Sequence, residues 1–372
     1  MRIGIDVSPL TRVRTGVGNY TYCLLEHLLQ QDESCRFHGF SSGIRNIDLG
    51  TLHGLAAHRH LPIPTRALYR LWATAGVPRV DRLLGGLDLY HATNYFLPPT
   101  RSARRVVTFY DLAFLRVPEL CSPKIVKPFS TQVCRFGQEA DAILTCSQAA
   151  KEDIVTLCGV PPDKVSVAYG AVDESFHPLE PEAAATRIAQ RYGIRRPFLL
   201  FVGTLEPRKN VEGLLRAFAM AAPQIPHDLV LAGGWGWNTV GIARAMEEAA
   251  LANRVRQLGY VQDRSDLPAF YSAADAFVFP SFYEGFGLPV LEAMTCGCPV
   301  ITSNRSSLPE VAGDAACCID PEDTGALAEA LVAILGDGTE RAAMRAKGLL
   351  QANRFSWRDC ARVTMDLYRS LV

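Results

Sequence analysis

The chain has 372 residues, 48% of them hydrophobic and 20% charged, with 38 Lys+Arg balancing 38 Asp+Glu. That is about the length of two domains of ordinary size, each able to bury a core, and the neutral balance excludes a whole-molecule attraction to nucleic acid. No run of about 18 or more apolar residues occurs, so no membrane-spanning helix is expected.

The opening "MRIGIDVSPL" reads as a strand over 2–6 and lacks the apolar core of a signal peptide. "RTGVGNYT" (14–21) then places Gly16 and Gly18 at the head of a helix spanning about 18–30. Thr21 stands where a third glycine would complete a dinucleotide fingerprint, so the motif is incomplete for that use. Residues 51–135 hold twelve Lys+Arg against four acids, a local excess of +8. Within it, "TRALYRLW" (65–72) mixes arginines with Leu68, Tyr69, Leu71 and Trp72. Such a window suits an anionic membrane surface, and it equally suits a solvated face or an amphipathic core helix.

Further strands are predicted at 87–92, 104–109, 141–146 and 164–169, with helices over 124–139 and 147–157. This alternation implies parallel sheets covered by helices on both faces. It breaks at "AYGAVDESFHPLEPEAAA" (168–185) and restarts with strands at 198–203, 228–233, 254–260, 275–280 and 299–303. Helices are predicted between them at 211–222, 240–252, 266–273 and 288–296, and a last one at 356–371. The expected fold class is therefore α/β, with two doubly wound Rossmann-like domains over 1–175 and 176–355. The eleven cysteines form no spaced metal pattern and read as buried, reduced thiols, which suits the cytoplasm.

The chemistry concentrates in "SFYEGFGLPVLEAM" (281–294). Pro289 suits the first turn of a helix. Gly285, Phe286, Gly287 and Leu288 form the turn into it, where free N–H groups and the helix dipole favour a phosphate. Glu284 and Glu292 would repel a diphosphate but accept hydrogen bonds from hydroxyls. A ligand with phosphates between two polyol groups is a nucleotide diphosphate sugar. Upstream, "FVGTLEPRKNVEGLLRAF" (201–218) ends a strand at Gly203 and sets Arg208 and Lys209 before a helix. Cations are disfavoured there unless an anion compensates. In "FYDLAF" (109–114), Asp111 fits either an acceptor hydroxyl or a helix cap. His91 and Asn94 are placed at the same crevice edge, although a lone histidine at a strand end also fits a structural role.

These motifs resemble the retaining glycosyltransferase family four, of GT-B fold. The resemblance rests on "RKN" after the strand-glycine turn, E-G-F-G-L-P-x-L-E with acids eight apart, "LAGGWGW" (231–237), "GYVQDRSDLPAFYSAADAFVFPS" (259–281) and "CGCPVITSNRSSLPEVAGDAA" (296–316). Weaker similarity runs through 15–28 and 88–99, and the subgroup resembled is the bacterial O-antigen and capsule mannosyltransferases. The resemblance implies that Glu284 contacts the donor hexose and that the amides of Phe286, Gly287 and Leu288 meet the sugar and diphosphate. It also implies that Glu292 binds ribose, that Arg208 and Lys209 bind the diphosphate, and that Gly16 approaches the donor. It further implies that the final helix, about 356–372, returns to the first domain. Tyr110 stands where the family often has histidine, and a tyrosine is a poor base at pH 7.

The resulting expectation is transfer of a hexose, mannose from GDP-mannose by the subgroup resemblance, to a hydroxyl of a glycan or polyprenyl-linked acceptor. No cofactor or metal is expected, because Arg208, Lys209 and the helix start supply positive charge and no D-x-D motif occurs. The protein is expected in the cytoplasm, peripheral to the inner face of the plasma membrane. A retaining glycoside hydrolase using Glu284 and Glu292 as a pair leaves Arg208 and Lys209 unexplained. A nucleotide-sugar epimerase lacks an evident acid and base.

Overall fold

The computed structural model describes residues 1–10, 16–44, 47, 49, 52–247 and 253–372. It divides into two compact units. The first comprises Met1–Arg116, Pro123–Gly170 and Ser356–Val372; the second comprises Val117–Ser122 and Ala171–Phe355.

The first unit is built on β1 (Arg2–Asp6), β2 (Arg36–Ser42), β3 (Ala57–Leu61), β4 (Leu89–Ala92), β5 (Arg104–Thr108), β6 (Ala142–Thr145) and β7 (Val165–Val167). All are parallel, in the order β3-β2-β1-β4-β5-β6-β7. The order reverses between β1 and β4, where Ile3 pairs with Leu89 and Ile5 with His91. The helix Gly16–Gln31 buries Tyr20, Leu24, Leu25 and Leu28 on one stripe, the i, i+4, i+8 spacing of an amphipathic helix. The C-terminal helix Trp357–Leu371 packs on it. Tyr20 and Trp357 meet edge to face at 5.2 Å, and Tyr20 Oη donates to the Ala168 carbonyl at 2.9 Å.

The second unit is built on β8 (Phe198–Val202), β9 (Asp228–Ala232), β10 (Val255–Gly259), β11 (Ala276–Phe279), β12 (Val300–Ser303) and β13 (Ala316–Ile319). These are parallel too, in the order β10-β9-β8-β11-β12-β13. β9, β11 and β12 are buried along their whole length. That is why they read as unbroken apolar runs rather than alternating ones. Phe201, Phe277 and Phe279 are each fully buried, worth about 1.5–3 kcal/mol apiece. Here the order reverses between β8 and β11, where Leu199 pairs with Ala276 and Leu200 with Phe277. In open sheets of this kind a crevice forms outside the carboxyl ends of the strands at such a reversal.

Several local expectations change. The helix expected over 124–139 is two, Pro123–Ser130 and Val133–Glu139, with Pro128 inside the first; proline removes one backbone donor and crowds the preceding turn. Strands β2, β3 and β13 carry no predicted counterpart. The helix expected over 240–252 is seen as Val240–Met246, and its last part, 248–252, lies outside the described residues, as do Arg14 and Thr15 of the glycine motif. The expectation that the thiols are reduced fails at one pair: Cys134 and Cys158 are joined by a disulfide. Their helices, Val133–Glu139 and Gln148–Cys158, lie side by side and bring the two Cα atoms to 4.6 Å; a separation of 24 residues gives no hint of that. Among the described residues no helix is long and apolar enough to cross a membrane.

Candidate functional site

The loops leaving β8 and β11 at the reversal carry the residues singled out in the sequence. The β8 loop starts with Gly203, whose N–H donates to the Ala232 carbonyl at 3.0 Å. A side chain on Gly233 would meet the Gly203 carbonyl oxygen at 1.8 Å, so glycine is required where the two strand ends converge. The loop continues to a short 3-10 turn, Pro207–Lys209, ahead of the helix Val211–Ala221. Asn210, in left-handed conformation at φ 53°, links turn and helix and anchors them by donating Nδ2–H to the Pro321 carbonyl at 2.6 Å.

The two loops are fastened to each other. Phe282 N–H donates to the Arg208 carbonyl at 2.9 Å, and Arg208 Nη1 donates to the Tyr283 carbonyl at 2.7 Å. Arg208, Lys209 and Glu284 therefore meet. Lys209 Nζ lies 2.6 Å from Glu284 Oε1, Arg208 Nη1 lies 3.2 Å from Oε2, and Arg208 Nη2 lies 2.9 Å from Glu206 Oε1. Two cations thus balance two carboxylates, and the side chains of Lys209 and Glu284 are only 12% and 9% exposed. Burial would push the Glu284 carboxyl up, but Lys209 and Arg208 outweigh it and hold it below its ordinary value. Burial lowers the Lys209 ammonium against the pull of Glu284, with Arg208 adding to the fall. Lys209 Nζ also sits 4.9 Å from the centre of the Phe279 ring.

Gly285, Phe286 and Gly287 turn the chain into the helix Leu288–Thr295. Gly287 adopts φ 107°, and a side chain there would meet Leu308 Cδ2 at 2.8 Å, so two independent constraints select glycine. The Ser307 hydroxyl is shared between the carbonyls of Glu284 at 2.9 Å and Phe286 at 2.8 Å, and Ser306 Oγ accepts the Glu284 N–H at 2.8 Å. Pro289 occupies the first turn. The dipole of this helix directs its positive end at the turn.

Glu292, one turn into that helix, has its own partners. Arg264 Nη2 donates to Oε1 at 2.9 Å, and the buried Tyr271 hydroxyl donates to Oε2 at 2.9 Å. Burial raises its pKa to about 6, with Arg264 and Tyr271 pulling the other way. Glu284 and Glu292 thus occupy separate environments, Glu284 against Lys209 and Arg208 and Glu292 against Arg264 and Tyr271. Arg264 and Tyr271 were not singled out in the sequence. Both lie in "GYVQDRSDLPAFYS", whose acidic and helix-forming pattern conceals an arginine that reaches across to another helix.

The first-unit candidates are less concentrated. Gly16 is exposed, and a side chain there would meet nothing within 4 Å, while Gly18 is buried. Asp111 accepts the Ala113 N–H on Oδ1 at 2.9 Å, the capping role. Tyr110 donates to the Thr93 carbonyl at 2.8 Å, and burial raises its pKa well above the ordinary value. Of the two readings of His91, the structural one holds and the crevice-edge one does not. His91 is wholly buried, with Nδ1 2.6 Å from Tyr368 Oη and Nε2 2.7 Å from Thr108 Oγ1, and burial drops its pKa to about 3. Among the described residues no group of three or more His, Cys, Asp or Glu is arranged to hold a metal ion.

Residues 14–176 match the family model described as Glycosyltransferase Family 4, and residues 186–350 the one described as Glycosyl transferases group 1. Over 393 aligned positions the chain is 34% identical to the O-antigen chain mannosyltransferase B of Escherichia coli, covering 100% of both. The chain belongs to glycosyltransferase family four. This glycosyltransferase is also 31% identical, over 68% of its length, to the serotype-specific mannosyltransferase WbdA of Escherichia coli, of which it spans 31%. Two solved structures share its GT-B fold. One is the sucrose-phosphate synthase of Thermosynechococcus elongatus, with TM-score 0.76, 23% identity, and coverage of 100% of this chain and 98% of that one. The other is Anabaena HepE, solved in complex with UDP-glucose, with TM-score 0.75, 18% identity, and coverage of 99% and 100%.

Proposed function

We propose that this glycosyltransferase transfers mannose from GDP-mannose to a hydroxyl of a glycan or polyprenyl-linked glycan, with retained anomeric configuration and without a metal. The observation that carries the reading is the meeting of Arg208, Lys209 and Glu284 beside the start of the helix Leu288–Thr295, at the carboxyl ends of β8 and β11. Arg208, Lys209 and the amides of Phe286, Gly287 and Leu288 bind the diphosphate. They stabilise the charge that grows on it as the sugar departs, where preorganised donors act most strongly. Glu284, held ionised by the two cations, accepts a hydroxyl of the hexose. Glu292 accepts the ribose hydroxyls. Gly203 keeps the floor of the crevice low. No side chain is assigned as base: Tyr110 is buried, and Asp111, which holds the Ala113 N–H on Oδ1, orients the acceptor hydroxyl, so the departing phosphate oxygen takes the acceptor proton. The choice of mannose is supported by the O-antigen mannosyltransferase relatives, and that of guanosine by the subgroup resemblance of the sequence alone.

The test is transfer from a panel of GDP-, UDP- and dTDP-sugars to mannose-terminated oligosaccharides, with and without chelator, the new linkage being read by NMR. Transfer from GDP-mannose that gives an α-linkage and is unaffected by chelator is expected. Transfer from UDP-sugars alone, a β-linkage, or loss of activity in chelator would each overturn the corresponding part.

The basic excess of the first unit supports an anionic membrane surface as the place of work. Leu71 is 39% exposed beside Arg66 and Arg70 on the helix Thr65–Ala75, and Ile125 is 47% exposed beside Lys124 and Lys127 on Pro123–Ser130. Apolar side chains flanked by cations suit an interface with acidic lipid. Flotation with liposomes containing phosphatidylglycerol, and not with neutral ones, is expected; equal behaviour with both would remove this part.

A further inference from the structure

Glu292 is approached by two side chains that have no role in the reading above. Arg264 opens the 3-10 turn Arg264–Asp266 that follows β10. The turn is pinned from below: Asp266 is fully buried and accepts hydrogen bonds from Arg187 Nε at 2.8 Å, Arg191 Nη1 at 2.7 Å and Tyr192 Oη at 2.5 Å. The Arg264 guanidinium lies 5.4 Å from the centre of the Phe176 ring, so its plane is held on one side by an aromatic face. Tyr271 is fully buried between Phe176 and Phe277, at ring distances of 6.2 and 5.4 Å, and its hydroxyl is directed at Glu292.

We propose that Arg264 and Tyr271 are positioning residues that fix the Glu292 carboxylate, in its charged form, to receive the two neighbouring hydroxyls of a ribose; the assignment rests on the reading of this site as a nucleotide-sugar site. The geometry carries it. A carboxylate offers two acceptor positions on each oxygen. Arg264 fills one on Oε1 and Tyr271 fills one on Oε2, which leaves one on each oxygen. That remainder matches a vicinal diol, which donates one hydrogen bond from each of two adjacent hydroxyls. A single partner would leave the carboxylate free to rotate between one-oxygen and two-oxygen acceptance. Two partners on different oxygens stop that rotation.

Charge matters as well as direction. The groups that face Glu292 are Arg264 from the turn, Tyr271 from the helix Leu267–Ala273, Asp173 from the segment after β7, and Cys296 at the end of its own helix. Among these, Arg264 is the cation, and Asp173 opposes ionisation. Without Arg264, burial and Asp173 leave the carboxyl protonated nearer neutral pH, and a protonated carboxyl has lost one of its two acceptor oxygens to a donor.

Calorimetric titration of the full chain with GDP and with 2′-deoxy-GDP, from pH 5 to pH 8.5, tests this with Arg264→Gln, Arg264→Lys and Tyr271→Phe. For the wild type, GDP affinity is expected to fall as pH drops through about 6. Arg264→Gln is expected to move that midpoint upward by about one pH unit, which weakens GDP about twofold at pH 7 and about tenfold at pH 5, and to recover at pH 8.5. Arg264→Lys should restore most of the wild-type profile. Tyr271→Phe should bind GDP and 2′-deoxy-GDP more equally than the wild type does. In transfer assays KM for the donor should rise more than kcat falls. Wild-type pH profiles and wild-type discrimination in Arg264→Gln and Tyr271→Phe would overturn the positioning role while leaving the site reading intact. A wild-type protein that binds no nucleoside diphosphate at any pH would overturn the site reading and the role together.

Discussion

Lys209→Met tests whether the cluster around Glu284 is the charge-balanced assembly that its distances describe. The substitution keeps an unbranched side chain and deletes the ammonium 2.6 Å from Glu284 Oε1. At that separation the attraction is about 6 kcal/mol for an effective dielectric near 20. Desolvation of the two nearly buried groups offsets several kcal/mol of it. Removing the sole partner of a buried carboxylate costs about 3–5 kcal/mol. Here Arg208 Nη1 remains at 3.2 Å, so a loss of about 2–3 kcal/mol is expected. For a domain of this size each kcal/mol shifts Tm by about 2–4 °C, which places the second unit's melting about 4–12 °C lower by calorimetry at pH 7.5. The wild-type Glu284 carboxyl is held below its ordinary value. Its stabilising contribution is therefore full above that range and fades as pH falls through the depressed value. Lys209→Met weakens that depression, so the Tm gap between the two proteins should narrow toward pH 4. Adding Glu284→Gln removes the stranded charge and should recover more than half of the loss. A Tm change under about 1 °C, or a double variant no more stable than Lys209→Met, would refute the reasoning.

Three further outcomes follow from the same geometry. Glu292→Gln should weaken GDP by about 10–100-fold at pH 7.5, the size of losing hydrogen bonds to a charged acceptor, and calorimetry should find the remaining affinity flat between pH 5 and 7. His91 titrates near 6.5 when unfolded and, buried, at about 3. The unfolded chain therefore binds the extra proton below pH 6.5, and the first unit should lose about 1.4 kcal/mol per pH unit from there down; in urea titrations at several pH values His91→Gln should show a shallower fall. Gly233→Ala places a methyl 1.8 Å from the Gly203 carbonyl oxygen. Because the obstacle is backbone, the loss should exceed the about 1–3 kcal/mol of ordinary overpacking, visible as a lowered Tm or absent soluble protein.

The two-sheet architecture was legible because β8, β9, β11 and β12 are buried on both faces and so appear as apolar runs punctuated by glycine. β2 and β3 were not legible. "AHRHL" carries histidines and an arginine because β3 is an edge strand, half exposed along its length, whereas "RFHGFSS" is an interior, largely buried strand whose histidine, glycine and serines interrupt any apolar run. Within the site, Arg208 and Lys209 stood out because cations are disfavoured at a helix start, and Glu284 and Glu292 because two acids flank a turn suited to phosphate. What the sequence concealed is their pairing. That Lys209 closes on Glu284 depends on β8 and β11 being neighbours in the sheet, 75 residues apart in the chain. Arg264 and Tyr271 were hidden for the same reason. His91 was legible as a strand-end histidine with a structural role, but nothing in the sequence showed that the C-terminal helix supplies its partner, Tyr368.

The account depends most on one placement: a diphosphate held between Arg208, Lys209 and the start of the helix Leu288–Thr295, with hexose at Glu284 and ribose at Glu292. A crystal structure of this glycosyltransferase with GDP-mannose tests it directly. Phosphate oxygens within hydrogen-bond distance of the Arg208 and Lys209 side chains, with both ribose hydroxyls on the Glu292 carboxylate, is the predicted result. Nucleotide bound away from the β8 and β11 loops, or a diphosphate in contact with neither cation, would contradict the account.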